Sequence, residues 1–278
     1  MALDAPSIGS LLFLMLRFFP KKSGPPSASD VASRALILKF QIVTAMATPP
    51  PEMLQPLLKS WSSADRARFL QQYRQRQARV AEALKAAGVW SAMSSREQAF
   101  MSATPDQIDT QALRDVSWAM ESAECLLWAL GYVDRLPPYD TQSDVEHLKR
   151  LPVERMDALV RNATLRHADL IVKARDVAEL WNWRSRTRQL QESGRPVQLP
   201  NNMSLVDVVR MTAEKAAANG LFEAAIEGDF PAHGRSYAQL TADEWSEVNS
   251  IAMERHKALN WLCGHAPGNK WEDTPTDT

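Results

Sequence analysis

The stretch QALRDVSWAMESAECLLWAL, residues 111–130, decides the fold class of this sequence. Its apolar residues recur at alternating steps of three and four: Leu113, Val116, Met120, Ala123, Leu127 and Leu130. That spacing places one apolar seam along a helix, because an α-helix turns once every 3.6 residues. Gly131 follows directly and favours a helix end. We therefore predict a buried or half-buried helix here.

Similar patterns extend on both sides of this segment. Further helices are predicted at about residues 30–47, 62–87, 168–190, 204–226 and 241–261. Ser94 with Glu97, and Thr241 with Glu244, have the spacing of capping boxes at helix starts. No alternating β-branched run is bounded by turns, so a sheet has little support. The sequence predicts an all-α fold: an irregular multi-helix bundle in a single domain, residues 26–278, with little or no β-sheet.

The composition is that of a globular protein without a strong electrostatic preference. The 278 residues are 45% hydrophobic and carry a formal net charge of −1. A balanced chain has no overall field to attract polyanions, so we predict no nucleic-acid partner. Cys125 and Cys263 lie in apolar helical contexts, which favours thiols in a reducing compartment over a disulfide. We expect a cytoplasmic location.

The N-terminus contains an apolar run, SIGSLLFLMLRFF, at residues 7–19. It is shorter than the about 20 residues needed to span a bilayer, and Arg17 interrupts it. A secretory signal has positive charge before its apolar run, whereas Asp4 precedes this one. Residues 1–25 are therefore predicted to be a leader and linker that packs on the core. Membrane contact through residues 8–19 and a true start at Met15 are alternatives that we do not favour.

Two basic segments stand out: RARFLQQYRQRQAR at residues 66–79 and WRSRTR at residues 183–188. At 100° per residue, the arginines of the first point in scattered directions around a helix. This arrangement favours a solvated helix face over a nucleic-acid surface. An acidic protein partner could use either segment.

Glu121 and Glu124 lie one turn apart on the predicted helix at residues 111–130. Beside Trp118, Cys125 and Trp128, they could form an acid and base pair with raised pKa values. The structural interpretation is that one carboxylate accepts hydrogen bonds from an arginine or an indole while the other is solvated. We favour the structural interpretation.

The C-terminal segments ERHKALNWL, residues 254–262, and WEDTPTDT, residues 271–278, concentrate charged and aromatic side chains. Because an indole seldom belongs to a solvated tail, Trp271 predicts that the tail docks on the last helix. Asp273 and Asp277 would then offer acceptors to Arg255 and His256 in a C-terminal clasp. No metal-binding spacing and no hydrolase, kinase or dehydrogenase motif is found, so no metal or cofactor is predicted.

Four separated motifs resemble the bacterial family known as domain of unknown function 4272: VWSAMSSREQAFM, SWAMESAECLLWALGYVDRLPPYDTQSDVEHL, ERHKALNWL and WEDTPTDT. The resemblance covers about residues 84–278 and implies an all-helical, cytoplasmic bacterial protein without a known activity. The recurrent polar positions of the family fall here on Arg34, Trp118, Glu121, Asp144, Glu254, Arg255, His256, Asn260, Trp261, Trp271, Asp273, Thr276 and Asp277. Ser143 stands where the family often has cysteine.

Two functions remain open from the sequence. The first, which we favour, is a non-enzymatic protein-interaction module, such as an immunity or accessory protein, with a protein partner of unknown identity. The alternative is an enzyme or small-ligand binder whose pocket near the C-terminus is built from Glu121, Asp144, Arg255, His256 and Asp277. Arginine and histidine beside carboxylates can bind an anionic group and move protons near neutral pH.

Overall fold

Nine α-helices make up most of the part of the chain that the computed structural model describes, residues 24–194, 196–199 and 203–276. They are α1 (Ala28–Met46), α2 (Pro51–Ser60), α3 (Ser63–Ala86), α4 (Ser95–Ser102), α5 (Thr110–Ala129), α6 (Met156–Arg161), α7 (Ala168–Ser193), α8 (Leu205–Ala218) and α9 (Ala242–Leu262). The remaining regular elements are short 3-10 turns and two-residue strands, β1 (Pro231–Ala232) and β2 (Arg235–Ser236). The predicted all-α fold class is confirmed.

The contacts within the chain define two compact units. The first unit contains residues 26–136 and 143–168, and therefore α1 to α6. Of the described residues, the second unit contains 24–25, 137–142 and those from 169 onward. Residues 137–142 thus belong to the second unit although both of their flanking segments belong to the first.

In the first unit, α1 is the most deeply buried helix and packs against α4, α5 and α6. It begins earlier than predicted, because Ser27 and Asp30 form the capping box that starts it. Its end at Met46 agrees with the predicted break at the proline run. That run also begins α2, a helix that was not predicted, because proline is tolerated in the first turn of a helix.

In the second unit, α8 ends at Ala218, earlier than the predicted limit of residue 226, because Asn219 and Gly220 terminate it. The following segment forms the β1–β2 hairpin. Its two turn residues, His233 and Gly234, have φ values of 50° and 71°, which two-residue hairpins require. Oδ2 of Asp140 accepts a hydrogen bond from the main-chain N–H of His233 at 2.7 Å, which holds the turn.

No single helix among the described residues has the length and apolar composition to cross a bilayer, and the only combination that does is α1 with α2, bent by 52°. The predicted leader falls largely on residues 1–23, which lie outside the described residues. Membrane contact through residues 8–19 and the boundary of the predicted domain therefore stay predictions. Cys125 is buried, Cys263 is half-buried, and neither forms a disulfide.

A buried ion pair joins α1 to α4 within the first unit. Nη1 of Arg34 donates to Oε1 of Glu97 at 2.5 Å, and Nη2 donates to the carbonyl of Ala92 at 3.0 Å. The other oxygen of Glu97 accepts from the main-chain N–H of Ser94 at 2.9 Å, as the predicted capping box requires. Glu97 therefore starts α4 and neutralises the buried cation of α1 with one side chain.

Replacing Arg34 with methionine tests this pair. The Glu97 carboxylate would stay buried without its cation, so we expect the free energy of unfolding to fall by about 3–5 kcal/mol in urea denaturation. The matched control is Arg96→Met, which removes an exposed arginine paired with Asp115 at 3.1 Å and should cost less than about 1 kcal/mol. Equal losses in the two variants would contradict a structural role for the buried pair.

Candidate functional site

Glu121 and Asp144 both lie in the first unit, and Ser143, which precedes Asp144 in the chain, is hydrogen-bonded to Glu121. The carboxylate of Glu121, which is 2% exposed, accepts hydrogen bonds from the N–H and the hydroxyl of Ser143 at 2.7 and 2.8 Å. Asp144 is exposed, and its side chain accepts from the main-chain N–H of Glu146 at 2.9 Å to start a 3-10 turn. Both carboxylates therefore shape the loop that follows residue 142.

Glu124 is also buried, and its carboxylate lies 2.8 Å from Nδ1 of the half-buried His147. The prediction that one of the two glutamates is solvated is wrong, because α5 is buried on all sides from Met120 to Ala129. The loop after residue 142 covers the flank that the sequence pattern assigned to solvent. Glu121 and Glu124 are thus held by Ser143 and His147.

Arg255 is fully buried in the second unit, where its guanidinium lies over the ring of Tyr139 at 5.0 Å. Nη1 donates to the carbonyls of Pro137 and Pro138 at 2.5 and 3.2 Å, and Nη2 donates to the carbonyl of Thr141 at 2.9 Å. These bonds attach residues 137–142 to α9. The geometry assigns Arg255 a structural task.

His256 is fully buried between two asparagine side chains. Its Nδ1 lies 3.1 Å from Nδ2 of Asn182, and its Nε2 lies 3.0 Å from Nδ2 of Asn260. Burial, together with the charges of Arg175 and His265, lowers the pKa of His256 to about 3. The imidazole is therefore neutral near pH 7.

Both ring nitrogens of this neutral imidazole face amide groups. Oδ1 of Asn260 accepts from Nε of Arg175 at 3.0 Å, and Nδ2 of Asn182 donates to the carbonyl of Thr276, so each asparagine turns its Nδ2 towards His256. A neutral imidazole has one acceptor nitrogen, so the ring accepts from one of the two asparagines. With both ring nitrogens enclosed by side chains, proton exchange with a substrate has no support in this geometry.

The C-terminal tail packs against α9 through Trp271, which is buried and meets Trp261 edge to face at 5.2 Å. Asn182 and Asn260 donate to the carbonyls of Thr276 and Pro275 at 2.8 and 3.0 Å. Main-chain carbonyls of the tail thus accept bonds from the asparagines around His256. Asp273 is exposed, so the predicted pairing of its carboxylate with the buried Arg255 and His256 is wrong.

The five predicted site residues do not belong to one unit. Glu121 and Asp144 lie in the first unit, Arg255 and His256 lie in the second, and Asp277 is outside the described residues. Among the residues that the structure describes, no group of three histidine, cysteine, aspartate or glutamate side chains could hold a metal ion. The pocket near the C-terminus stays a prediction.

The second unit also contains a buried ion pair, which the sequence did not indicate. Nε and Nη2 of Arg184 each donate to one oxygen of Asp229 at 2.6 Å, and the guanidinium lies 4.5 Å from the ring centroid of Tyr237. Arg188, from the same WRSRTR segment, donates to the carbonyls of Tyr237 and Leu240 at 3.1 and 3.0 Å. Arg184 and Arg188 thus bind the second unit internally, and the idea that an acidic partner uses this segment loses its support.

The basic segment of α3, residues 66–79, is mostly exposed, whereas Arg184 and Arg188 bind within the second unit. Of the 24 residues of this helix, Tyr73, Gln77 and Leu84 are buried, and its arginines are exposed. Residues 51–86 carry seven lysines and arginines against three acidic residues, a net charge of +4 in a chain whose total is −1. The predicted solvated helix face is confirmed, and it concentrates positive charge.

Exposed apolar side chains occur at the end of α1 and on α2, the two helices that precede α3 in the chain. Met46 is 64% exposed, Met53 is 61% exposed, and Val43 and Leu57 are each 46% exposed. Val43 and Met46 are three residues apart on α1, and Met53 and Leu57 are four apart on α2, so each pair shares a helix face. We call these four residues, together with the exposed arginines of α3, the α2–α3 surface.

The fold and these contacts define an all-α protein whose buried charged residues hold its loops and helices together. The chain belongs to the family described as Domain of unknown function (DUF4272), whose model matches residues 19–211. This match starts earlier than the predicted extent of 84–278 and does not include the C-terminal motifs. No curated protein and no solved structure matches the chain.

The neutral state of His256 predicts a specific pH dependence of stability. The unfolded protein takes up a proton at this residue below about pH 6.5, whereas the folded protein does not until pH falls to about 3. The contribution of the neutral His256 to the free energy of unfolding is therefore complete above about pH 6.5. Below that pH it falls by about 1.4 kcal/mol per pH unit. Urea denaturation at pH values between 6.5 and 5 should show a shallower slope for His256→Gln than for the wild type.

The matched control is His167→Gln, because His167 is exposed. This variant leaves the buried imidazole of His256 in place, so its slope should differ less from the wild type than that of His256→Gln does. If His256→Gln has the same slope as the wild type, His256 does not stay neutral in the folded protein.

Proposed function

We propose that this protein is a non-enzymatic, cytoplasmic protein-interaction module, of the accessory or immunity type, that binds an acidic partner through the α2–α3 surface. The observation that carries the proposal is the exposure of two methionines and a leucine, Met46, Met53 and Leu57, on the helices that precede the basic helix α3 in the chain. Exposed apolar groups next to charge are typical of protein-binding surfaces.

Methionine suits such a surface because its flexible, polarisable side chain adapts to differently shaped partners. Met53 and Leu57 project from one face of α2 at the spacing with which helices present apolar residues to a groove or to another helix. Leu54 and Leu58 are the buried residues of α2, so Met53 and Leu57 make no contribution of similar size to the core. Their apolar area remains available to a partner.

The charge of the surface selects the partner. A net charge of +4 over residues 51–86 attracts an acidic protein and steers its approach. Two copies of this chain would oppose like charges across the same surface, which disfavours self-association there. Scattered arginine directions around α3 disfavour a nucleic acid, which needs a continuous basic track. An acidic protein with an exposed apolar helix or groove fits both features.

The alternative, an enzyme or ligand binder with a pocket near the C-terminus, has weaker support. Arg255 and His256 are each 0% exposed. Arg255 donates to main-chain carbonyls of the second unit, and His256 lies between two of its asparagine side chains. A group that binds or protonates a substrate needs access to it, and this geometry favours the structural interpretation.

The test begins with partners isolated on the full-length protein from the native host, together with the purified product of the adjacent gene. Each candidate is purified and titrated against the wild type and the double variant Met53→Asp/Leu57→Asp by calorimetry. We expect the variant to lose about 2 kcal/mol of binding free energy, roughly thirtyfold in Kd, because it removes apolar contacts and adds repulsion to an acidic partner. Wild-type binding should weaken as salt rises.

The matched control is Val206→Asp/Met211→Asp, which introduces the same charges at residues that are 66% and 42% exposed on α8. It should bind as the wild type does. A partner whose affinity is unchanged in Met53→Asp/Leu57→Asp, or is lost in the α8 control instead, would contradict the proposed surface.

A further inference from the structure

We propose that the first unit contains a binding site for a small organic carboxylate with an apolar body, with Arg155 as the residue that binds the carboxylate. The site is a cavity of about 370 Å³ between the end of α5 and α6. This volume lies within the range of about 300–1,000 Å³ of small-molecule pockets. The proposal is independent of the α2–α3 surface and assigns a second activity to the same unit.

The cavity combines an apolar wall with a few polar groups. Leu130, Ala158, Leu159 and Ala163 supply the apolar part. The polar side chains that line it are those of Arg155, Tyr132, Asn162 and Thr164. Ligand pockets have this composition, because apolar area supplies affinity and a small number of polar groups fixes the orientation of the ligand.

The four polar side chains make no hydrogen bond or ion pair with other side chains among the described residues. Each of them can therefore bind a ligand without losing a contact of the fold. Burial raises the pKa of Tyr132, so its hydroxyl stays protonated near neutral pH and can donate a hydrogen bond. The Arg155 guanidinium offers two parallel donors in the geometry of a carboxylate.

The charges around the cavity favour an anion. Glu154 and Asp157, the acidic neighbours of Arg155 in the chain, face other cations: Glu154 acts on Lys39, and Asp157 accepts from Arg161 at 2.7 Å. Neither carboxylate therefore neutralises Arg155. Arg155 is exposed, so its guanidinium is accessible to a ligand that brings its own negative charge.

Two further arginines hold the wall of the cavity. Nη1 of Arg150 donates to the carbonyl of Tyr132 at 3.0 Å, while Nε and Nη2 of Arg166 donate to the carbonyls of Trp128 and Val133 at 2.6 and 2.8 Å. These carbonyls lie at and just beyond the end of α5, where helix carbonyls would otherwise repel an anion. The arginines offset that repulsion and add positive charge near the cavity.

Benzoate and phenylacetate are the probes, titrated at millimolar concentration against the full-length protein by calorimetry, with benzamide as the uncharged comparison. We expect saturable binding of at least one carboxylate and weaker binding of benzamide. Arg155→Gln should weaken carboxylate binding by about tenfold or more, because it removes a charge-assisted hydrogen-bond pair. The matched control, Arg114→Gln, removes the same charge from an exposed position near the start of α5, outside the cavity, and should bind as the wild type does.

A second variant, Ala158→Leu, fills the cavity and leaves Arg155 in place. It should also weaken binding, and thermal melting of each variant checks that the fold is intact. The proposal is overturned if neither carboxylate binds, if benzamide binds as tightly as benzoate, or if Arg155→Gln and Arg114→Gln have equal effects. Unchanged binding in Ala158→Leu would likewise show that this cavity is not the site.

Discussion

A fully buried guanidinium needs acceptors for its five N–H groups, and the carbonyls of Pro137, Pro138 and Thr141 accept from Nη1 and Nη2 of Arg255. Pro137 and Pro138 make those carbonyls available. A proline cannot extend a helix, and the residue before it is pushed into extended backbone, so this segment forms no helical hydrogen-bond ladder and its carbonyls can accept from a side chain. The segment consequently belongs to the second unit, although the residues on either side of it belong to the first.

The same constraint accounts for much of the charged content of the interior. Arg34, Arg184 and Arg255 are each at least nine-tenths buried, and each binds a segment distant in the chain. Removing one partner of such a pair leaves an uncompensated charge, whereas the pair itself contributes specificity more than net stability. Buried arginines in this protein are therefore better explained by the positions of the segments that they join than by chemistry on a substrate.

Local signals predicted the helices well. The apolar seam of α5 and the capping boxes at Ser94 and Thr241 need only residues within a few positions of one another. Helix α2 was missed because a proline-rich start reads as a break, although the same residues can begin a new helix. The local sequence pattern thus predicts the positions of helices more reliably than it predicts which other segments pack on them.

Roles that depend on distant partners could not be predicted in this way. Asp229 is 45 residues from Arg184, and the acceptors of Arg255 are 114 to 118 residues away, so no spacing links them. The sequence grouped Arg255 and His256 with Glu121 and Asp144 because all are polar and recurrent. The structure sorts them by unit, and it adds Arg155, which has no recognisable motif around it.

The α2–α3 surface and the cavity share one scaffold in the first unit. Helix α1 carries Val43 and Met46 at one end and packs against α6, which lines the cavity. A ligand alters binding at a second site only through a difference in its affinity for two states of the protein. Moving α1 relative to α6 would disturb a helix with residues such as Leu36 and Ile37 at 0% exposure, and close-packed cores resist such shifts. We therefore expect that a ligand in the cavity does not change the affinity of the α2–α3 surface for its partner. The two sites share a core, but no movement of α1 couples them.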